Sequence, residues 1–164
     1  MATAARPPLR VLILCTGNSA RSQMAEALLN AKGNGRFEAH SAGSRPAARV
    51  NPFAIAALDK IGIAWAGHAP RGMDGLDREH WDLVITVCAN AKEACPIFPG
   101  QPVRAHWGME DPADVTGSEE TKLRAFELAR QLLARRIDLM LALPVEKLER
   151  IVTEQRMRAI GGSA

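Results

Sequence analysis

Long apolar runs are absent from this 164-residue sequence. A membrane-spanning helix needs about 20 consecutive apolar residues, and the apolar run at Val11–Cys15 is too short even for the core of a signal peptide. The sequence also lacks any block of like charges, and its formal net charge is only +3. Proteins that bind polyanions usually cluster their basic residues, so we predict no nucleic acid and no membrane among the partners. Together these absences predict a cytoplasmic protein.

Cysteine is also scarce, with only Cys15, Cys88 and Cys95. No Cys-x-x-Cys pair occurs and the histidines are scattered, so we predict no metal site. A cytosolic chain with so few cysteines does not use them as a structural disulfide framework. A buried thiol in the core is the ordinary explanation for each of them, unless its surroundings indicate chemistry.

The residues that are present predict one α/β domain. Apolar residues make up 47% of the chain and charged residues 24%, as in a globular protein with one core. Short apolar runs predict strands at 9–14, 37–41, 82–87 and 102–107. Helical spacing predicts helices at 22–31, 51–61, 118–142 and 145–160, with Asn51 and Ser118 as N-caps. This alternation predicts a four-stranded parallel sheet flanked by helices, in the flavodoxin-like order 2-1-3-4.

The junction of the first strand and the first helix carries the most specific pattern. It reads Cys15-Thr16-Gly17-Asn18-Ser19-Ala20-Arg21-Ser22, a cysteine, five residues, an arginine and the start of a helix. A loop wrapped at a helix N-terminus brings several backbone N–H groups to one point, where they and the helix dipole bind an anion. Gly17 and Asn18 tolerate the unusual backbone angles of such a wrap. We therefore predict an oxyanion-binding loop formed by Thr16, Gly17, Asn18, Ser19, Ala20, Arg21 and Ser22.

Cys15 and Arg21 give this loop its chemistry. Arg21 presents a planar fork that matches two oxygens of a tetrahedral oxyanion. The positive field of the loop stabilises the Cys15 thiolate, and a thiolate beneath a bound oxyanion is a nucleophile in line with the central atom. Ser22 can donate a hydrogen bond to that thiolate, although a serine here also simply begins a helix. The spacing alone would be a weak signal, and its position between a strand and a helix makes it specific.

The same residues resemble a known family. The run Cys15–Glu26 is similar to the signature of the low-molecular-weight phosphotyrosine phosphatase superfamily, and within it to the arsenate reductases that use a relay of cysteines. The likeness continues at Ser41–Gly43, Val50–Pro52, Leu83–Cys88, Ala94–Pro96, His106–Gly108 and Glu110–Pro112. It covers about residues 9–142, which we predict to be the arsenate reductase domain, with residues 144–164 as a C-terminal helical extension.

The resemblance implies that Asp111 protonates a departing oxygen. Asp111 follows the fourth predicted strand, and parallel-sheet enzymes build their sites at the carboxyl ends of strands, so its loop can reach the oxyanion-binding loop. Glu110 and Asp114 are competing carboxylates, and an Asp-Pro pair is also a common turn. Asn18 and Ser41 are expected to hold the oxyanion-binding loop in shape.

Cys88 and Cys95 distinguish a reductase from a phosphatase. Cys88 directly follows the third predicted strand, at the same end of the sheet as Cys15, and Cys95 is seven residues further on. The resemblance implies that Cys15 attacks arsenate, that Cys88 then attacks Cys15, and that Cys95 closes a disulfide with Cys88, for arsenic detoxification. It implies no bound cofactor. An external thiol, either thioredoxin or glutaredoxin with glutathione, then regenerates the enzyme.

Two other functions stay open at this point. Protein tyrosine phosphatases share the oxyanion-binding loop, because phosphate and arsenate have the same shape and charge. They usually carry aromatic residues after the Asp-Pro pair, whereas here Ala113 and Asp114 follow it and the chain has no tyrosine. A non-enzymatic sensor of an oxyanion or nucleotide on the same scaffold is the other alternative. The intact set of cysteine, arginine and aspartate argues against it.

Overall fold

The described strands and helices follow one another along the chain in the predicted order. The computed structural model describes residues 7–89, 102–147 and 150–162. The strands are β1 Leu9–Cys15, β2 Phe37–Gly43, β3 Leu83–Thr86 and β4 Val103–His106. The helices are α1 Arg21–Lys32, α2 Pro52–Asp59, α3 Glu119–Leu141 and α4 Arg150–Gly161, and short 3-10 turns lie at Leu76–Arg78, Pro112–Asp114 and Val145–Lys147. No helix within the described ranges is both long and apolar enough to cross a membrane.

The four strands form one parallel sheet in the order β2-β1-β3-β4. β1 pairs along its whole length with β2, from Leu9 opposite Phe37 to Cys15 opposite Gly43. β3 lies on the other side of β1, and β4 lies beside β3. The prediction of a single α/β domain with this strand order is confirmed. The order reverses between β1 and β3, and α/β proteins bind ligands outside the carboxyl ends of strands at such a point.

β1 is apolar on both faces because both of its faces are covered. Val11 and Ile13 belong to the larger core cluster, which includes residues of α1, α2, α3 and α4. Leu12 and Leu14 belong to a smaller cluster with Trp81, from the segment before β3. Side chains alternate between the faces of a strand, so a central parallel strand is a continuous apolar run. This burial on both sides fixes the strand that carries the oxyanion-binding loop.

Local signals set the starts of α2 and α3. The side chain of Asn51 accepts a hydrogen bond of 2.9 Å from the backbone N–H of Phe53, and Pro52 occupies the first turn, where its missing N–H is not needed. Ser118 Oγ accepts in the same way from the N–H of Thr121, at 3.1 Å. Both predicted N-caps are confirmed.

The C-terminal segment differs from its predicted form. One helix is predicted for residues 145–160, whereas the structure has a 3-10 turn at Val145–Lys147 and describes α-helix only from Arg150. The turn closes with a hydrogen bond of 2.8 Å from the N–H of Lys147 to the carbonyl of Pro144. Such an i to i+3 bond winds the chain more tightly than an α-helix does. The prediction of one continuous α-helix is therefore wrong in its first turn.

Arg36, in the turn before β2, holds this corner. Its guanidinium donates to the carbonyl groups of Leu141 and Leu143 at 2.7 and 2.9 Å, and both carboxylate oxygens of Glu146 accept from it at 2.8 Å. α4 then packs beside β4. The division into a domain at 9–142 and an extension at 144–164 stays a prediction.

Candidate active site

Cys15 is the last residue of β1, and its sulfur faces the loop that leads into α1. The residue is 2% exposed. Its Sγ accepts a hydrogen bond of 3.2 Å from the N–H of Asn18 and lies 2.8 Å from Ser22 Oγ. Ser22 Oγ already accepts a hydrogen bond from Asn18 Nδ2 at 2.8 Å, which leaves the hydroxyl proton for the sulfur. Two donors therefore converge on Sγ.

The backbone carbonyl groups of residues Cys15 to Ser19 all accept hydrogen bonds on the outer side of the loop. A segment after β2, residues 44–51, runs beside the loop and donates to four of these carbonyl groups at 2.9–3.2 Å. The pairs are Ser44 to Cys15, Arg45 to Thr16, Ala47 to Gly17 and Asn51 to Ser19. The fifth carbonyl, that of Asn18, accepts a hydrogen bond of 3.2 Å from Gln23 Nε2.

This arrangement turns the N–H groups of the loop inward. In a trans peptide the C=O and the following N–H point in opposite directions, so each carbonyl held outside leaves an N–H inside. Asn18 follows this rule, since its N–H points at the sulfur of Cys15. Its φ of 49° lies in the left-handed region, where successive N–H groups can face one point. α1 begins at Arg21 and adds the positive end of its dipole. The loop thus has the geometry of a cradle for a small anion.

Arg21 extends from the start of α1 to the chain that follows β3 and β4. Its side chain is 2% exposed. Nη1 donates to the carbonyl groups of Met109 and Val87 at 3.0 and 3.4 Å, and Nη2 lies 3.5 Å from Asp111 Oδ2. These contacts with two different loops fix the plane of the guanidinium before any ligand arrives.

Asp111 lies after β4, at the carboxyl end of the sheet. Its Oδ1 accepts a hydrogen bond of 3.0 Å from the N–H of Ala113 and so caps the next short turn, while Oδ2 faces Arg21. The competing carboxylates, Glu110 and Asp114, are exposed. The structure thus places Asp111 at the guanidinium of the oxyanion-binding loop.

A chain of hydrogen bonds leads from this loop into the protein. Asn18 Nδ2 donates to Ser41 Oγ at 2.9 Å, and Ser41 Oγ donates to Glu26 Oε1 at 2.9 Å. His68 Nε2 lies 3.0 Å from the same carboxylate oxygen. Asn18 and Ser41 are fully buried, and Glu26 is 7% exposed. The two residues predicted to support the loop are therefore in direct contact with each other.

Sequence reasoning missed the outer part of this support. The N–H of Arg71 donates to Asn18 Oδ1, and its Nε donates to the carbonyl of Ser41, both at 3.0 Å. Gln23 Nε2 donates to the carbonyl of His68 at 3.0 Å. His68 and Arg71 lie in a long connection without regular secondary structure. The length of that connection was the one signal in the sequence, because long ordered loops often serve a site.

Cys88 is close to Cys15 along the paired strands β1 and β3. Val87 is the residue opposite Cys15, and Cys88 is the next residue along the chain. The N–H of Val87 donates to the carbonyl of Leu14 at 2.9 Å, which extends the pairing of β1 with β3. In ideal parallel strands, with a spacing of about 4.8 Å and a rise of about 3.3 Å per residue, two residues related in this way have Cα atoms roughly 6 Å apart. Disulfides join Cα atoms about 4.4–6.8 Å apart. Cys88 is fully buried. Cys95 lies outside the described residues.

Gly43, at the end of β2, allows a test of the packing between β2 and the oxyanion-binding loop. A Cβ there would lie 2.4 Å from the carbonyl oxygen of Thr16 and 2.9 Å from the nitrogen of Asn18. We expect Gly43→Ala to lower the free energy of unfolding by about 1–3 kcal/mol, as overpacking does. It should also weaken phosphate binding, because the loop must shift. Denaturant unfolding and calorimetric titration with phosphate measure the two effects.

Gly72→Ala is the matched control for that variant. A Cβ at Gly72 would contact only Pro46 Cγ, at an ordinary distance of 3.9 Å. This control should keep both the stability and the phosphate affinity of the wild type. If Gly43→Ala behaves like Gly72→Ala in both measurements, the loop does not rest on the end of β2 in solution.

Comparison with known proteins gives one consistent family. The family model described as low molecular weight phosphotyrosine protein phosphatase matches residues 10–154. An arsenate reductase of Halalkalibacterium halodurans is 38% identical over 127 residues, which covers 77% of this chain and 91% of that protein.

Solved structures give the same likeness. A structure described as an arsenate reductase in the phosphate binding state matches with a TM-score of 0.69 and 28% identity, over 82% of this chain and 97% of that chain. A thioredoxin-dependent arsenate reductase from Corynebacterium glutamicum matches with a TM-score of 0.57 and 26% identity, over 83% of this chain and 65% of that chain.

Proposed function

Since the chain belongs to the low molecular weight phosphotyrosine protein phosphatase family, we propose that it is an enzyme that reduces arsenate to arsenite in arsenic detoxification. The observation that carries the proposal is the buried thiol of Cys15 at the oxyanion-binding loop, where the five carbonyl groups from Cys15 to Ser19 are all held by hydrogen bonds. Arg21 is fixed beside it. The matched relative from Halalkalibacterium halodurans, which is named arsenate reductase, supports arsenate as the oxyanion.

The first step is attack of Cys15 Sγ on arsenic. A new S–As bond replaces one As–O bond, and the departing oxygen takes a proton from Asp111 and leaves as water. Arg21 and the N–H groups of the loop stabilise the charge on the remaining oxygens, an effect that is strong where water is excluded. Arsenic keeps its oxidation state of +5 in this step.

Reduction takes place in the second step. The Cys88 thiolate attacks Cys15 Sγ, a Cys15–Cys88 disulfide forms, and the electron pair of the S–As bond stays on arsenic, which leaves as arsenite. Cys95 then attacks Cys88, and the resulting Cys88–Cys95 disulfide frees the Cys15 thiolate. The strand pairing that brings Cys88 close to Cys15 supports the first exchange. Because Cys88 is fully buried, its segment has to move before Cys95 and an external thiol reach it.

An external dithiol closes the cycle by reducing the Cys88–Cys95 disulfide. Thioredoxin is the proposed partner, because one of the matched structures is a thioredoxin-dependent arsenate reductase. Glutaredoxin with glutathione is the alternative. The reaction as written needs no bound cofactor.

A phosphatase is the second candidate, because the description of the family names phosphotyrosine protein phosphatases. A phosphate monoester can meet the same cradle, thiol and acid, so weak hydrolysis of small aryl phosphates is expected. The residues after Asp111 and Pro112 are Ala113 and Asp114, which are exposed and offer no aromatic ring to flank a phosphotyrosine. Cys88 beside Cys15 has no use in phosphate ester hydrolysis and favours the reductase.

Arsenate turnover with each reductant supplied separately tests the proposal. The full-length protein is given arsenate with thioredoxin, thioredoxin reductase and NADPH, or with glutaredoxin, glutathione and the matching reductase. We expect arsenite to form in step with NADPH consumption in one of the two systems. No arsenite in either system, together with efficient dephosphorylation of phosphotyrosine peptides, would establish the phosphatase instead.

Asp111→Asn is expected to slow a single turnover of arsenate by ~10²–10⁴-fold, the usual contribution of a positioned acid. The amide keeps an oxygen that can cap Ala113, so the turn should keep its shape. Rapid-mixing measurement of arsenite release gives the rate. Glu110→Gln and Asp114→Asn are the matched controls and should stay near the wild-type rate. Equal losses in all three variants would assign the effect to the charge of the loop and not to a proton from Asp111.

A further inference from the structure

Arg136 is a buried arginine that the chemistry above does not use. It lies on α3 and is 6% exposed. Its Nη1 donates to the carbonyl groups of Trp107 and Gly108 at 2.9 and 3.1 Å. Burial lowers the pKa of Arg136 from its ordinary value, yet a guanidinium in a protein stays charged. Removing this charge from water is costly, so the two carbonyl contacts help to offset the loss of hydration.

The carbonyl groups that Arg136 binds belong to the segment that leads from β4 to Asp111. The next carbonyl along, that of Met109, accepts a hydrogen bond of 3.0 Å from Arg21 Nη1. Arg21 Nη2 in turn lies 3.5 Å from Asp111 Oδ2. Three successive carbonyl groups are therefore held by two guanidinium groups, one on α3 and one in the oxyanion-binding loop.

The start of this segment has little freedom of its own. Trp107 is 2% exposed, its N–H donates to the carbonyl of Thr86 at 2.7 Å, and its Nε1 donates to the carbonyl of Met157 at 3.1 Å. A Cβ added to Gly108 would lie 2.9 Å from the carbonyl oxygen of Cys88. The segment thus passes closely over the chain that follows β3, and Arg136 binds it from α3.

We propose that Arg136 is a positioning residue for the acid step: by holding the carbonyl groups of Trp107 and Gly108, it sets the place of Asp111 relative to Arg21. This inference rests on the proposed function. Arg136 acts through Asp111, because the carbonyl groups that it binds belong to the segment that leads to Asp111. Its loss should therefore slow the step that needs a proton from Asp111 and leave oxyanion binding nearly unchanged.

α3 supplies a matched control in Arg130. This arginine is 7% exposed, and its Nη1 donates to the carbonyl of Ala57, in α2, at 2.6 Å. Both arginines are buried on the same helix and bind backbone carbonyl groups. Only the carbonyl groups bound by Arg136 belong to the segment of Asp111. Replacing either arginine should lower the stability of the protein by a similar amount. A slower proton transfer from Asp111 is expected only when Arg136 is replaced.

The experiment compares Arg136→Met, Arg136→Lys and Arg130→Met in the full-length protein. Single-turnover release of arsenite reports the chemistry, and calorimetry with inorganic phosphate reports oxyanion binding. We expect Arg136→Met to slow release by ~10–10²-fold, the cost of displacing a reacting group by about 1 Å, with phosphate affinity within about threefold of the wild type. Arg130→Met should release arsenite near the wild-type rate. Arg136→Lys keeps the charge and should recover part of the lost rate. If Arg136→Met does not fold, Arg136→Lys takes its place in the comparison with Arg130→Met.

Each comparison is repeated in an Asp111→Asn background. There, loss of Arg136 should slow release little further, because residues that act through one group are not additive. An equally large loss in that background, or a loss no greater than that of Arg130→Met, overturns the inference. If the wild type forms no arsenite, the proposed function fails, and amide hydrogen exchange of residues 109–113 decides the inference separately. Faster exchange in Arg136→Met than in Arg130→Met supports it, and equal exchange overturns it.

Discussion

Cys15→Ser is expected to abolish arsenite formation and to leave the oxyanion-binding loop intact. A serine oxygen can accept the hydrogen bond that Sγ accepts from the N–H of Asn18, and the carbonyl groups of the loop keep their outer partners. A serine hydroxyl forms no disulfide, so both the S–As bond and the exchange with Cys88 are lost. Loss of an enzyme's nucleophile lowers the rate by about 10⁶-fold.

Two measurements separate lost chemistry from lost structure in this variant. Calorimetric titration should give a phosphate affinity close to that of the wild type, while arsenite release falls below detection. Cys88→Ser is the matched control, because it keeps Cys15 and should still form the arsenic adduct once. Measurable arsenite release by Cys15→Ser would assign the attack to another thiol.

The variants of the two later cysteines should also lose multiple turnover, and each should stop at a different point. Cys88→Ser should permit attack by Cys15 on arsenate and then stall, because no neighbouring thiol attacks Cys15 Sγ to break the S–As bond. Cys95→Ser should release one arsenite per protein and stop with Cys88 joined to Cys15. In the proposed relay each variant lacks one of the thiols that pass the oxidation on, so steady turnover should fall to background in both.

Mass spectrometric mapping of the cysteines after one turnover without reductant tests the order of attack. The wild type should have Cys88 joined to Cys95, with Cys15 reduced. If arsenite has been released while Cys88 and Cys95 both still react with an alkylating agent, the internal relay is wrong. An external thiol would then attack the Cys15 adduct directly.

Structural features that depend on residues close together in the sequence could be predicted from it. Residues 11–15 form a continuous apolar run because the strand is covered on both faces, and that run indicates a central parallel strand. Asn51 and Ser118 stand directly before helical spacing and next to the N–H groups that they cap. The strand order 2-1-3-4 followed from the alternation of strands and helices together with the family resemblance.

The rest depends on contacts between residues far apart in the sequence. His68 reaches Glu26 across 42 positions, and Arg21 reaches Met109 across 88 positions. No spacing rule covers such distances, so the outer support of the loop and the anchoring of its arginine were not predicted. The turn at Val145–Lys147 was missed for a related reason. A 3-10 turn and the first turn of an α-helix place apolar residues similarly, and Arg36, which binds Glu146 at this turn, lies 110 positions away.

Because every carbonyl from Cys15 to Ser19 is already bonded on its outer side, the cradle has little freedom to adjust to its ligand. A stiff ring of N–H donors accepts tetrahedral dianions of similar size almost equally, so phosphate should compete with arsenate for the same place. Discrimination between arsenate and phosphate must then come from the rates of the steps after binding. In the proposed relay, arsenic(V) bonded to Cys15 keeps the electron pair of the S–As bond when Cys88 attacks Cys15, and it leaves as arsenite. Phosphorus bonded to Cys15 is not reduced and leaves only when water hydrolyses the S–P bond. We therefore expect phosphate to act as a competitive inhibitor, and selectivity to come from sulfur chemistry after binding and not from fit.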